Sequence, residues 1–276
     1  MGVLNRTPDS FSDGGLFESD GSANARIDAL VREGAEIVDI GAESTRPGAP
    51  RVDDAEQLAR LGGSIEHAAR TGALVSIDTT SPRVAQHALE RGATIVNSVS
   101  LEPAAELGAL AARHGAALVL MHSRGPMEAM PGFSLYDDAA YGDVVADVAR
   151  ELGEAAARAL AAGLPRESLL LDPGLGFAKN ARQSLTLTAR LGELCALGFP
   201  LVVGPSRKSF LAHATRESAD SPLDGPEARL GATVAACLAC ASRGAAILRV
   251  HDVAVVARAL AFARALGGSG AEAPRV

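Results

Sequence analysis

Eight short apolar runs in this chain each close on a side chain able to bind a polar group or carry charge. They are VLN ending at Asn5, EIVDIGAEST at Thr45, LVSID at Asp78, TIVN at Asn97, LVLMH at His122, LLLD at Asp172, PLVVGPSRK at Lys208 and AILRVH at His251. Amides and carboxylates can grip the polar edge of a ligand, and cationic side chains can grip an anion. Such groups act together only if the fold gathers all eight run ends in one place.

The stretches between the runs offer a way to do so, because each is long enough for a crossover helix. Residues 23–32 carry Ile27, Leu30 and Val31 on one side, and 54–67 carry Leu58, Leu61 and Ile65. Pro82 opens a third helix where its missing N–H costs nothing, and Gly92 closes it. Further helices are expected over 103–114, 139–162, 185–197, 226–242 and 253–266. Strand and helix alternating eight times predict parallel pairing with right-handed crossovers. The expected fold is α/β, a single (β/α)8 TIM barrel over residues 1–266 with its active-site loops at the C-terminal face of the strands. Residues 267–276, GGSGAEAPRV, are expected to be a disordered tail.

A chain of 276 residues, 47% of them hydrophobic, can fill such a core, chiefly with Ala, Leu and Val since aromatics make up only 3%. The apolar runs fall far short of the ~20 residues of a membrane span. No basic leader with an apolar segment indicates export, so a cytoplasmic location is expected. A net charge of −7 argues against a general nucleic-acid binder, which needs a basic face. Cys237 and Cys240 have C-x-x-C spacing but lie in the Ala-rich ATVAACLACASRG, without a second pair or nearby His, so they are expected to pack in the core. With Cys195 they are too few for a disulfide framework.

Three connections, 6–21, 44–53 and 123–138, are richer in Gly, Pro and polar residues than a plain turn needs. All three follow strands and would project over one mouth. Together with the strand ends they carry a resemblance. MGVLNRTPDSFSDGG, DIGAESTRPGA, SIDT, IVNSVS, LVLMHSRG, LLLDPGLGFAKN, GPSRKSFL and ILRVHDV, in this order, closely resemble the dihydropteroate synthase family of folate biosynthesis. The resemblance extends from Met1 to about Val253, and TPDSFSDGG, ESTRPG and SRKS are its most specific strings.

The resemblance implies condensation of 6-hydroxymethyl-7,8-dihydropterin diphosphate with 4-aminobenzoate, giving dihydropteroate and diphosphate. It implies Mg2+ as cofactor, small molecules as the binding partners, and a homodimer. Asn5 matches the family's magnesium contact, and a neutral carbonyl oxygen suits a hard ion that takes its other ligands from phosphate and water. Arg249 and His251, two apart on the last strand, match the anion-binding pair, with Val250 between them also a substrate contact. Arg46 is a further clamp on the diphosphate; with Lys208, Arg249 and His251 it forms the implied catalytic set. Asp78, Asn97 and Asp172 match the residues that hold the pterin, and Lys208 the lysine that bonds its ring. Phe11, Thr45, Pro47 and Ser209 match the aminobenzoate site, with Phe177 along the wall. The family also implies that diphosphate leaves first and that the amine traps a stabilised pterin cation.

Four features depart from the family's usual pattern. Arg6 replaces the apolar residue after the asparagine, either adding to the anion site or pointing outward. Ser98 stands where aspartate is common. HSRGPMEAMPGF differs from the usual segment and leaves the roles of His122 and Arg124 open. Met1 lies almost at the first strand, where relatives carry an additional N-terminal stretch over the barrel bottom; whether the chain is truncated there stays open. Two other readings compete. One is a pterin-dependent methyltransferase, which NSVSLE resembles faintly but ESTRPG and SRKSF oppose. The other is a catalytically inactive pterin-binding relative, whose loop residues should have eroded.

Overall fold

The computed structural model describes residues 1–7, 20–44, 48–130, 132, 134–218 and 220–268. Within them run strands β1 (Gly2–Asn5), β2 (Ile37–Gly41), β3 (Leu74–Asp78), β4 (Ile95–Ser98), β5 (Ala117–Met121), β6 (Leu169–Asp172), β7 (Leu201–Val203) and β8 (Ala245–Leu248). They form one parallel sheet in sequence order. Beyond β8 the chain returns to β1. Val250 N–H donates to Met1 O at 2.9 Å, and Val3 N–H donates to Val250 O at 3.2 Å.

The register decides which side chains meet. Asn5 lies opposite Gly41, Gly41 opposite Asp78, and Asp78 opposite Asn97. One step of the two-residue period below, Asp39 lies opposite Ser76. Deeper still, Ile37, Ile95, Val119 and Val202 form an apolar floor, joined by Leu170 and Ile247. The alternate residues, among them Leu4, Val38, Ile40, Val75, Ile77, Leu118 and Leu171, belong to the large core shared with the helices. Burial on both faces explains why the strands read as continuous apolar runs rather than alternating ones.

The helices are α1 (Asp20–Arg32), α2 (Asp54–Leu61), α3 (Ser64–Arg70), α4 (Pro82–Leu89), α5 (Ala104–His114), α6 (Val144–Ala161), α7 (Ala181–Ala189), α8 (Leu191–Leu194), α9 (Ser209–Thr215), α10 (Leu230–Ala241) and α11 (Val253–Gly268). The helix expected over 54–67 is two, broken where Gly62 takes φ +49°. That expected over 139–162 starts at Val144, because the Asp143 carboxylate accepts the N–H groups of Val145 and Ala146 and caps it. The segment expected over 185–197 begins at Ala181, set by a capping box between Asn180 and Gln183. Residues 269–276 lie outside the described residues. Cys237 and Cys240 are fully buried in the main core, as their Ala-rich setting suggested. Among the described residues, no helix is long and apolar enough to cross a membrane.

Candidate active site

Asp39 in the middle of β2, Asp78 at the end of β3, Asn97 in β4 and Arg249 just past β8 form one interlocked group. Arg249 Nε donates to Asp39 Oδ2 at 2.6 Å and its Nη2 to Asp78 Oδ2 at 2.7 Å. Asn97 Nδ2 donates to the same Asp39 oxygen at 3.2 Å. Asp39 is fully buried and Asp78 nearly so, yet Oδ1 of each has no hydrogen-bond partner among the described residues. An unpaired buried carboxylate oxygen is costly, so the pair stands ready for donors. Burial raises the Asp78 pKa; the Arg249 guanidinium opposes that rise, and Asp39 adds to it.

The β6 end is built differently. Asp172 Oδ1 accepts the Gly174 N–H at 2.7 Å, which folds the DPGLGF segment back over the strand. Gly174 has φ +66°, and a Cβ there would lie 2.0 Å from His122 O, so only glycine fits. Burial raises the Asp172 pKa, against the pull of Lys208 and the Gly174 hydrogen bond. Lys208, just ahead of α9, donates to Leu175 O at 2.6 Å and holds its ammonium 4.7 Å from the centre of the Phe177 ring. Burial lowers its pKa to about 8, with Asp172 resisting. At Gly204 after β7, a Cβ would meet Arg249 Cβ at 3.7 Å and Lys208 Nζ at 3.9 Å, so the two cations flank this glycine.

Arg249 and His251 lie just past β8 rather than within it, since β8 ends at Leu248. His251 Nδ1 lies 3.1 Å from Ser206 Oγ. Burial, then the neighbouring Arg249 and Arg207, lower its pKa to about 4, so the imidazole is neutral near pH 7. Asn5, Arg26, Arg207, His251 and Asp252 line a cleft of about 450 Å³. Asp252 is not free within it, because Arg207 grips both its oxygens at 2.6 and 2.9 Å. Val250 turns into the main core and offers the site no side chain. Ser209 opens α9, with its Oγ 2.9 Å from Ser134 Oγ. A second cleft, about 350 Å³, runs past Asp78, Thr79, Val99 and Ser123.

Phe11, Thr45, Arg46 and Pro47 lie outside the described residues. Arg6 turns away from the strand ends: its Nε donates to Arg60 O at 2.6 Å and its Nη2 to Asp20 at 3.0 Å. Ser98 bonds locally to the Ser100 backbone. His122 and Arg124 both engage Glu151. Two residues that sequence reasoning left unmarked belong here. Asp39 sits two positions inside an apolar strand, and a charge in a doubly buried strand was the available signal. Lys179 follows a glycine-rich turn, where a lysine ordinarily reads as solvent-exposed.

Residues 1–251 match the family model described as pterin binding enzyme. The chain belongs to that family. A dihydropteroate synthase of Synechocystis sp. is 43% identical over 270 residues, covering 96% of this chain and 89% of that protein. A structure of the Xanthomonas albilineans dihydropteroate synthase with 4-aminobenzoic acid superposes with a TM-score of 0.83 at 39% identity, covering 96% and 91% of the two chains. The same enzyme in complex with 7,8-dihydropteroate gives 0.81 at 37% identity, covering 96% and 92%.

Proposed function

We propose that this pterin-binding family member is a dihydropteroate synthase: it joins the amine of 4-aminobenzoate to the methylene carbon of (7,8-dihydropterin-6-yl)methyl diphosphate. The C–N bond forms, the C–O bond to diphosphate breaks, and the amine loses a proton. The observation that carries this reading is the meeting of three polar strand ends, Asp78, Asn97 and Asp172, with two cations, Lys208 and Arg249, around one mouth. The carboxylates suit the amino-pyrimidinone edge of a pterin. The unpartnered Asp78 Oδ1 supplies an acceptor already stripped of water. Lys208 and Phe177 bound the ring from the β6–β7 side. Relatives of high coverage with aminobenzoate and dihydropteroate bound support the substrate pair.

The leaving group is anionic, and Arg249 retains an Nη1 with no hydrogen bond among the described residues for it. His251 is neutral and can donate through Nε2 while Nδ1 accepts from Ser206. Asn5 in the same cleft offers a carbonyl oxygen, and no group of three His, Cys, Asp or Glu side chains competes for a metal among the described residues. This fits a Mg2+ ion held by Asn5 and otherwise by diphosphate and water, which would neutralise charge on the departing group. Arg46 is proposed to clamp the diphosphate, and Phe11, Thr45, Pro47 and Ser209 to receive the aminobenzoate. The proposal extends to a closed eight-stranded barrel, supported by the Val250 bonds to β1. It also extends to a cytoplasmic location and to a homodimer, the latter supported by Phe262 and Leu266, more than half exposed on α11.

Product formation from the two substrates, with and without Mg2+, tests the reading. Dihydropteroate that appears only with both substrates is expected, and Arg46→Ala should slow it strongly while leaving binding of the diphosphate-free pterin unchanged. A protein that binds the pterin but forms no product would be the inactive relative.

A further inference from the structure

Lys179 is among the largest fully buried side chains of the described residues. Its Nζ lies within reach of four acceptors: His122 Nδ1 at 2.9 Å, Phe177 O at 2.8 Å, Gly174 O at 3.1 Å and His122 O at 3.3 Å. Two of these acceptors are carbonyls of the turn that starts at Asp172 and carries Phe177; the other two, a ring nitrogen and a carbonyl, belong to His122, the residue that leaves β5. Burial pushes the Lys179 pKa well below the ordinary lysine value, with Asp172 opposing, and even the neutral amine brings two donors to such a cage. With Lys179 donating to Nδ1, the His122 proton sits on Nε2, which donates to Glu151 Oε2 at 2.9 Å. Burial lowers the pKa of His122 to about 4, consistent with a neutral ring.

The turn is also held from outside. Tyr141 Oη donates to Ala178 O at 2.8 Å, and Arg124 stacks 3.9 Å over the Tyr141 ring while bonding Glu151. Gly174, Gly176 and Ala178 all take positive φ, so the turn adopts a conformation that the chain alone would not favour. With no solvent-accessible surface, Lys179 cannot touch a substrate itself.

We propose that Lys179 is a positioning residue for pterin binding, fixing the Asp172–Phe177 turn against His122 at the end of β5 so that the carboxylate and the ring face the ligand. The proposal rests on the pterin site described above. It places the otherwise unused His122, Arg124 and Glu151 behind the site as the mount for that lysine.

The test is Lys179→Met, which keeps length and removes the donors. Calorimetry with 6-hydroxymethyl-7,8-dihydropterin and steady-state kinetics with both substrates provide the readout. Pterin Kd and the KM for its diphosphate should each rise about tenfold, while the KM for 4-aminobenzoate stays within twofold. Added to Asp172→Ala, the change should weaken pterin binding by less than a further twofold, because both act through one group. Unchanged pterin affinity, an equal rise in both KM values, or a full tenfold loss on top of Asp172→Ala overturns the proposal. Should Lys179→Met not fold, the Lys179 Nζ resonance of the wild-type protein decides. It is expected to shift on titration with the pterin and not with aminobenzoate, and indifference to pterin overturns the idea. A wild-type protein that makes no dihydropteroate sinks the assigned reaction but leaves the pterin Kd comparison intact.

Discussion

Asp78 and Asp172 sit at the ends of β3 and β6, both buried, and are held by opposite means. Asp78 leans on a guanidinium whose other nitrogen is tied to Asp39, and its second oxygen has no partner among the described residues. Asp172 leans on a backbone N–H of its own turn, with that turn clamped from below by Lys179. The first arrangement is a charge balance spread over four strands that a ligand can rebalance. The second is a rigid bracket whose acceptor points where the backbone sets it. Asp78 is therefore hydrogen-bonded to the guanidinium of Arg249, whereas Asp172 feels that charge only through space.

Breaking the charge balance should have the largest effect. Arg249→Met leaves two buried carboxylates without their cation. It is expected to cost about 3–5 kcal/mol in urea unfolding, besides abolishing turnover. A variant within about 1 kcal/mol of the parent would show that the carboxylates do not depend on it.

Acid tests the bracket. The unfolded chain protonates His122 near pH 6.5, whereas the folded protein does not until about pH 4. The stability contributed by the neutral ring is thus complete above pH 6.5 and is lost as pH falls from there toward 4, by up to about 3 kcal/mol. His122→Gln keeps an acceptor for Lys179 and a donor for Glu151 but cannot titrate. Its stability should fall less steeply across that window, and parallel profiles for the two proteins would contradict the assignment.

Removing the bracketed carboxylate itself is the next step down. Asp172→Ala should weaken pterin binding by ~10- to 100-fold, about 1.5–3 kcal/mol, in a protein that still folds, as calorimetry can read. A further contrast concerns a cation outside both arrangements. Arg6 faces Asp20 and the Arg60 carbonyl, so Arg6→Ala should change kcat/KM by less than twofold and stability by about 1 kcal/mol. A tenfold loss of activity would return Arg6 to the anion site.

Much of this was legible before folding was considered. Asp78, Asn97 and Asp172 announce themselves because an apolar run ends at each, and strand ends in a parallel sheet face one way. The last ten residues of α1, 23–32, and the start of α4 at Pro82 follow from periodicity and capping alone; α1 itself begins three residues earlier, at Asp20. The breaks at Gly62 and Asp143 were missed because apolar spacing persists across them, while backbone φ and a side-chain cap decide where hydrogen bonding stops. Arg6 was undecided because a long side chain next to a strand end can point either way, and only the position of α1 and α2 settles it.

The sequence by itself determined the eightfold strand–helix rhythm and the polar residue that closes each apolar run, since these depend on local spacing. The tertiary structure alone decided what those residues do to one another. Asp39 and Arg249 are 210 residues apart, and Lys179 finds His122 57 residues back; no local pattern encodes either meeting. The return of the chain past β8 onto β1, beside β2, brings the first pair together, and a turn folded over β6 brings the second. In each case burial turns an ordinary polar residue into one that must be matched, because inside the protein water is no longer there to do it.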